Sequence, residues 1–470
     1  MTYDLNFYIT KMKIKSKMKK LLLSFIIISA ITSCAKKEDE IKSESSTATS
    51  TDNSSSINCE NYVFDNSSIT DNTTSSNLDT KVQNRPTVPV FYPWSGSGQG
   101  IYNTCGESNN VWFDCDNETT PYSLIWTNKG RSSEVESADN ISINDDQKKL
   151  MKEDNNTLYL ISEQWHYYNP KYDKLSQCSK FYLNEVFKEH EGTEYDHNLM
   201  INILHDEWPV VLSNKAAKYK NEGFDGILFD WWHNGAGNCK PWNVCVRSRA
   251  EVESARLAIA KEIRQKVGND FIIMGNVNWN LKDPVSQYMS GVFLELWKTN
   301  NKDYLSIDAT IDNASNAMSI EAMEVVLNYW NENLMSPKII AFETWKYTAP
   351  EYKDSDNYSD HVADRLSEKN IKLAKLFTAM GLVIPDNGYV LYADNNPDWS
   401  GGDHQHHYYD FWKTDLGKPV DNMTEVKSVV AYKKFEKGVV AYNRTFSTET
   451  ITLDNGSVIT LESKEGIFIK

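Results

Sequence analysis

Eight short apolar runs, set between longer segments of helical pattern, constrain the fold of this chain more than any other feature. Val88-Pro89-Val90-Phe91-Tyr92, Ser123 to Trp126, Thr157 to Ser162, Gly226 to Phe229, Phe271 to Met274, Gly291 to Leu294, Lys338 to Phe342 and Tyr389-Val390-Leu391-Tyr392 are strand-like. Between them, Arg249 to Val267 places Val252, Ala255, Ala258, Ile259 and Ile263 on one helical face, and Ile320 to Asn333 and Ala363 to Met380 behave similarly. This alternation points to an α/β fold, a (β/α)8 TIM barrel over residues 85–424. A doubly wound sheet is the alternative, but no glycine-rich phosphate loop follows the first strand. The tail changes character. Val429 to Tyr432, Gly438 to Tyr442, Thr450 to Leu453, Val458 to Leu461 and Gly466 to Ile469 read as short strands, with Asn455-Gly456 as a hairpin turn. A small C-terminal antiparallel β-domain, residues 425–470, is expected.

The N-terminus reads as a bacterial lipoprotein signal, residues 1–34. Lys19 and Lys20 form a basic n-region, and Leu21 to Ile31 is an apolar run too short to span a bilayer as a stable helix. Met18-Lys19-Lys20 opens a more usual signal than Met1 does. The run ends in Ile31-Thr32-Ser33-Cys34, which resembles a lipobox, with Cys34 as the lipidated residue. Lys36, Lys37, Glu38, Asp39 and Glu40 form a charged collar of the kind that directs some lipoproteins to the cell surface. The expected location is therefore a lipid anchor on a bacterial membrane, the outer membrane or cell surface. Residues 35–84 are expected to be a disordered tether, because the stretch from about Ser43 to Asp79 is rich in Ser, Thr, Asn and Asp and has too little apolar surface to offset the entropy of ordering.

Composition narrows the partners. A formal net charge of -16 over 470 residues argues against nucleic acid, since phosphate binding needs a basic face. The 14 Trp and 25 Tyr are the informative excess, because aromatic faces stack on the apolar C–H patches of sugar rings as well as packing cores. Cys34 aside, the cysteines are Cys59, Cys105, Cys115, Cys178, Cys239 and Cys245. An even count in an exported chain permits disulfides, and Cys105 with Cys115 and Cys239 with Cys245 are close in sequence. No spacing resembles a zinc site, and neither metal nor cofactor is expected.

Catalytic residues of such a barrel sit at the C-terminal ends of strands. Gly226-Ile227-Leu228-Phe229 terminates in Asp230, followed by Trp231, Trp232 and His233. Gly291-Val292-Phe293-Leu294 terminates in Glu295, two residues before Trp297. Glycosidic cleavage needs two carboxyl groups across one bond, and Asp230 and Glu295 are the best pair. The alternatives are a helix-capping role for Asp230 and a salt bridge for Glu295. Other strand ends bring Tyr92, Trp94, Trp126, Trp165, His166, Asn276, Asn278, Glu343 and Trp345 to the same rim as candidate substrate contacts. Glu163 and Glu343 are reserve candidates for the second carboxylate. Asp225, before its strand and hence at the opposite face, reads as a structural turn residue. His404, His406 and His407 invite a metal reading, but their Gly- and Asp-rich setting reads better as a solvated loop.

At these residues the chain resembles a known group. Gly223-Phe224-Asp225-Gly226-Ile227-Leu228-Phe229-Asp230 is similar to the Gly-Phe-Asp-Gly-Ile/Val-x-x-Asp segment of TIM-barrel families distantly related to α-galactosidases and endo-α-1,4-polygalactosaminidase. Tyr409-Asp410, Asp415-Leu416-Gly417-Lys418-Pro419 and Phe435 to Asn443 bring it nearest to glycosyl hydrolase-like family fifteen. The resemblance covers roughly Arg85 to Lys470 and implies a glycosidase fold with Asp230 as one catalytic carboxylate. The resulting expectation is a membrane-anchored glycoside hydrolase acting on an extracellular or periplasmic polysaccharide. A non-catalytic glycan-binding lipoprotein on the same barrel is the alternative.

Overall fold

The computed structural model describes residues 78–95, 113–114, 122–127, 145–168, 182–186, 199–233, 248–278, 280–298, 320–347, 363–396, 404 and 406–470. The chain divides into two units, Met1–Ser56 and Ile57–Lys470, and every described residue belongs to the second. The signal, Cys34 and the six other cysteines lie outside the described residues.

Eight parallel strands form one sheet: β1 (Phe91–Ser95), β2 (Leu124–Thr127), β3 (Leu158–Glu163), β4 (Gly226–Phe229), β5 (Ile272–Asn276), β6 (Gly291–Lys298), β7 (Ile339–Tyr347) and β8 (Asn387–Asn396). They neighbour one another in chain order. A parallel bridge between Val90 and Val390, with Val390 N donating to Pro89 O at 2.9 Å, joins β8 to β1 and closes the ring. The expected TIM barrel is therefore the observed fold. Its strands were legible because a parallel strand covered on both faces reads as an unbroken apolar run; β3, β4 and β5 are buried at every position.

Helices α2 (Asp145–Glu153), α3 (Trp208–Glu222), α4 (Arg249–Val267), α5 (Ile320–Asn333) and α6 (Glu368–Val383) run in the connections from β2 onward. Between β5 and β6 a 3-10 turn, Pro284–Tyr288, stands in place of a helix. Helix α4 starts with a capping box: Ser248 Oγ accepts from Glu251 N at 3.2 Å, and Glu251 Oε2 accepts from Ser248 N at 2.7 Å. The helical pattern expected from Ala363 is broken at Ser367, whose side chain caps α6 by accepting from Asn370 N.

Helix α1 (Leu78–Gln83) lies within the residues expected to be tether, so the folded part begins by Leu78 and not near Arg85. Leu78 and Val82 join the main core, and Lys81 reaches Asp225 Oδ2 at 2.8 Å and Met151 O at 2.9 Å. One turn of helix in a polar stretch carries no periodicity to read; it is held by these tertiary contacts.

The tail forms a four-stranded antiparallel sheet, with strand order β9 (Thr424–Val426), β10 (Val430–Phe435), β11 (Gly438–Asn443) and β14 (Gly466–Ile469), and a hairpin of β12 (Glu449–Thr452) and β13 (Val458–Leu461). The hairpin turns at Asn455-Gly456, where Gly456 has φ 83°. Val430, Tyr432, Ala441, Ile451, Leu453 and Leu461 make a separate small core between them. The Leu416-Gly417-Lys418-Pro419 piece lies along the β10–β11 turn: Lys437 N donates to Leu416 O and Glu436 N to Lys418 O, each at 2.9 Å.

Candidate active site

Strand register explains which side chains meet at the C-terminal mouth. Phe293 packs inside the barrel against Phe91 and Trp126, at ring separations of 5.7 and 5.0 Å. Side chains alternate along a strand, so Glu295, two residues on, faces the same interior. Glu295 pairs in register with Glu343 on β7, which puts their carboxylates side by side. On the other flank, the last β4–β5 pair is Phe229 with Gly275, so Asp230 emerges beside Asn276.

Asn276 connects the first two carboxyls. Its Nδ2 donates to Asp230 Oδ1 at 3.1 Å and to Glu295 Oε2 at 3.3 Å. Asp230 Oδ1 also accepts from Trp231 N at 2.9 Å. The aspartate backbone is fixed from below, because Trp165 Nε1 donates to Asp230 O at 3.0 Å. Trp232 then turns into the core and packs against Gly275 of β5. A Cβ at Gly275 would stand 2.3 Å from its ring, so glycine is required for this approach. Arg256, ion-paired to Asp283 at 2.6 Å with both side chains fully buried, lies 5.1 Å from the Trp232 ring centre. Asp230 is thus held by a packed shell of indoles and an ion pair.

Part of Asp230 opens to the mouth, yet it sits deep over an aromatic floor. Burial first, then the neighbouring Glu295 charge, push its pKa up to about 6, while the Asn276 and Trp231 donors and His404 pull the other way.

A third carboxylate and a histidine complete the mouth. Glu343 is fully buried, and both its oxygens lie within bonding distance of His404 Nδ1, at 2.9 and 3.0 Å. Glu295, Glu343 and His404 each bring one potential ligand atom within 4.8 Å of the other two. A metal-bound imidazole nitrogen must be deprotonated. Nδ1 facing both oxygens of a carboxylate is instead assigned as N–H donor, so the contact reads as a hydrogen-bonded pair. The histidine segment is therefore not a solvated loop. His406 is buried, with Nε2 2.8 Å from Tyr122 Oη and Nδ1 2.8 Å from His404 O, and it anchors His404 over the mouth.

Residues 157–448, well over half of the chain, match the model of the hypothetical glycosyl hydrolase family 15. The chain belongs to this family. No curated protein matches it. Among solved structures, an alpha-amylase from Anoxybacillus aligns at 15% identity over 74% of this chain and 84% of its own, with a TM-score of 0.43. Eubacterium rectale Amy13B aligns at 13% identity over 84% and 99%, TM-score 0.45. The glycoside hydrolase domain of PelA from Pseudomonas aeruginosa aligns at 11% identity over 66% and 94%, TM-score 0.35.

In this member of the family, the aromatic residues expected at the rim fall into two groups. Trp126, Trp165 and Trp232 are fully buried, and Trp345 is nearly so; they support the mouth and offer no open face to a sugar. Residue type alone does not say which way a side chain turns. Trp94 and Trp231 are half-buried and remain open to it, whereas Tyr92, next to the inward-facing Phe91, turns outward and stacks on Tyr122 at 4.9 Å. Trp94, Trp231 and Asn278 all have left-handed backbone, with φ of 46°, 52° and 48°. Such conformations cost of order 1–3 kcal/mol for non-glycine residues and cluster at functional sites. His233, beside Trp231, is held neutral; burial and the Arg256 charge lower its pKa to about 4. His166 is buried and is lowered further, to about 3. Glu163 points away from the interior to α3, where Tyr219 Oη and Lys215 Nζ bond it at 2.5 and 3.5 Å, so it is a structural carboxylate and not a reserve for catalysis. The side chain of Trp297 lies outside the described residues. His404 was not among the residues expected at the mouth. Its signal in the sequence is weak: a His-x-His-His segment in the connection after the last barrel strand, which returns over the strand ends.

Proposed function

We propose that this chain is a lipid-anchored glycoside hydrolase that cleaves an extracellular or periplasmic polysaccharide through Asp230 and Glu295. The observation that carries the reading is the shared Asn276 donor. Two oxygens bonded to one nitrogen at 3.1 and 3.3 Å stand no farther apart than about 6.4 Å, the two bonds laid end to end. Both carboxyls therefore lie within reach of one glycosidic bond, and the scheme we propose is the retaining one, which needs carboxyl groups about 5–5.5 Å apart where inversion needs about 6.5–9.5 Å. Asp230, with two N–H donors on one oxygen and an ionised form above pH 6, serves as nucleophile at the anomeric carbon. Glu295, also half-buried at the mouth, gives its proton to the leaving oxygen and then takes one from the water that releases the glycosyl enzyme. Trp94 and Trp231 supply faces for the sugar rings.

A polysaccharide panel with detection of new reducing ends tests the activity. On a substrate that the wild type cleaves, Asp230→Asn and Glu295→Gln should each lower kcat by several orders of magnitude with folding intact. Near-wild-type turnover by Asp230→Asn would sink the assignment. Oligosaccharide binding without any new reducing ends would make the barrel a glycan-binding module. For the anchor, Cys34→Ser should abolish incorporation of a fatty-acid analogue and release the protein from membranes; equal labelling of the two proteins removes that part.

A further inference from the structure

The two-carboxylate scheme makes no use of Glu343 and His404, although both are built into the same mouth. His404 sits amid three carboxylates: Glu343 on β7, Glu295 on β6 and Asp230 after β4. Its ring is enclosed by Trp94 at 4.7 Å, Trp345 edge-on at 5.9 Å and Phe293 at 6.2 Å. The opposed Glu343 carboxylate fixes the ring through Nδ1.

Three carboxylates this close in a half-buried barrel mouth repel one another when ionised. Retention by the proposed route needs Asp230 as an anion while Glu295 carries the transferable proton. Some positive charge must offset the remaining anions, and among the described residues the imidazole of His404 is placed beside them, paired to Glu343 at 2.9 Å. We propose that Glu343 and His404 form a positioning dyad for the reaction, in which Glu343 holds the imidazole by Nδ1 and His404 supplies the positive charge that keeps Asp230 ionised beside Glu295. The inference rests on the glycosidase reading of Asp230 and Glu295. The sign agrees with the electrostatics, since His404 acts to lower the Asp230 pKa against burial and the Glu295 charge. Among the described residues, Asp230 is faced by Glu295, His404, the Asn276 amide and Trp231 N–H, and His404 by carboxylates and by the rings of Trp94, Trp345 and Phe293.

The test is the titration of Asp230 itself, followed by carboxyl-carbon NMR of the full chain labelled at aspartate, with the signal assigned by its loss in Asp230→Asn. In His404→Gln the Asp230 midpoint should move to higher pH, and in His404→Lys, which keeps a positive charge, it should return to the wild-type value or below. An unchanged midpoint in folded His404→Gln overturns the inference, as does His404→Lys behaving like His404→Gln. If circular dichroism finds His404→Gln unfolded, His404→Asn takes its place. If neither neutral variant folds, His404→Lys against wild type decides, and a midpoint above wild type overturns it. A merely structural histidine would change the melting temperature without moving this midpoint. The titration needs no substrate. Lack of turnover together with a shifted midpoint defeats the glycosidase reading alone, and turnover with an unmoved midpoint defeats the dyad alone.

Discussion

Strand β4 is flanked by two aspartates that the fold treats in opposite ways. Asp225 precedes it at the barrel floor, and Asp230 follows it at the mouth. Asp225 is buried against Lys81 at 2.8 Å, and the same oxygen, Oδ2, accepts from Tyr159 N at 2.9 Å, so its charge is paired even though burial raises its pKa. Asp230 has no ion-pair partner at that distance among the described residues; it faces Glu295 across one amide, with His404 farther off. The floor arrangement ties α1 to the start of β4. The mouth arrangement costs stability and leaves a reactive carboxyl, which is the usual signature of a working site.

The sharpest way to break this comparison is at the floor. Lys81→Met removes the cation and leaves Asp225 buried and uncompensated, which costs about 3–5 kcal/mol. Chemical denaturation should report a loss of that size. Turnover per folded molecule should stay near wild type, because Lys81 stands at the opposite end of the barrel from the mouth. A loss of activity without a loss of stability would erase the division between the two ends.

The sequence was legible where one strand decides the outcome. Asp230 and Glu295 each close an apolar run, and a charged residue at the end of a buried strand has few places to go but the mouth. Asp225 was legible as a structural residue for the same reason, from its place before the strand. The tryptophans were not. Trp232 and Trp231 are neighbours, yet one is buried against Gly275 and the other remains half-open, and that choice depends on a left-handed backbone turn and on space left by a residue of another strand. His404 and α1 were missed because each is placed by long-range contacts: His404 by Glu343 and the His406 anchor, α1 by Asp225 and the core beneath it.

A second contrast is in pH. A carboxyl whose pKa rises from its ordinary value to about 6 on folding binds its proton more tightly in the folded state. Its contribution is therefore most favourable below about pH 4, is lost as pH rises toward 6, and is constant above that. The upper bound is about 3 kcal/mol, at roughly 1.4 kcal/mol for each tenfold gain in proton affinity. Urea melts of wild type and Asp230→Asn at pH 4, 5, 6 and 7 should diverge across this window, with the variant gaining relative stability as pH rises. Parallel curves would mean that Asp230 is not desolvated and that the mouth is electrostatically ordinary.

The smallest effect concerns the rim end of α4, the helix that follows the Asp230 segment. Ser248 and Glu251 satisfy one another's backbone donors there, and the bonds are exposed to solvent. Ser248→Ala should cost about 0.5–2 kcal/mol, the usual range for a lost N-cap. It should leave the Asp230 midpoint unmoved, because α4 is anchored beneath the mouth about two turns along by the buried Arg256–Asp283 pair under Trp232. Thermal melts give the first quantity and the carboxyl titration the second. If Ser248→Ala matched Lys81→Met in destabilisation, stability would be spread evenly between rim and floor. If it shifted the Asp230 midpoint, Trp232 and Arg256 would not be the elements that hold the aspartate in place.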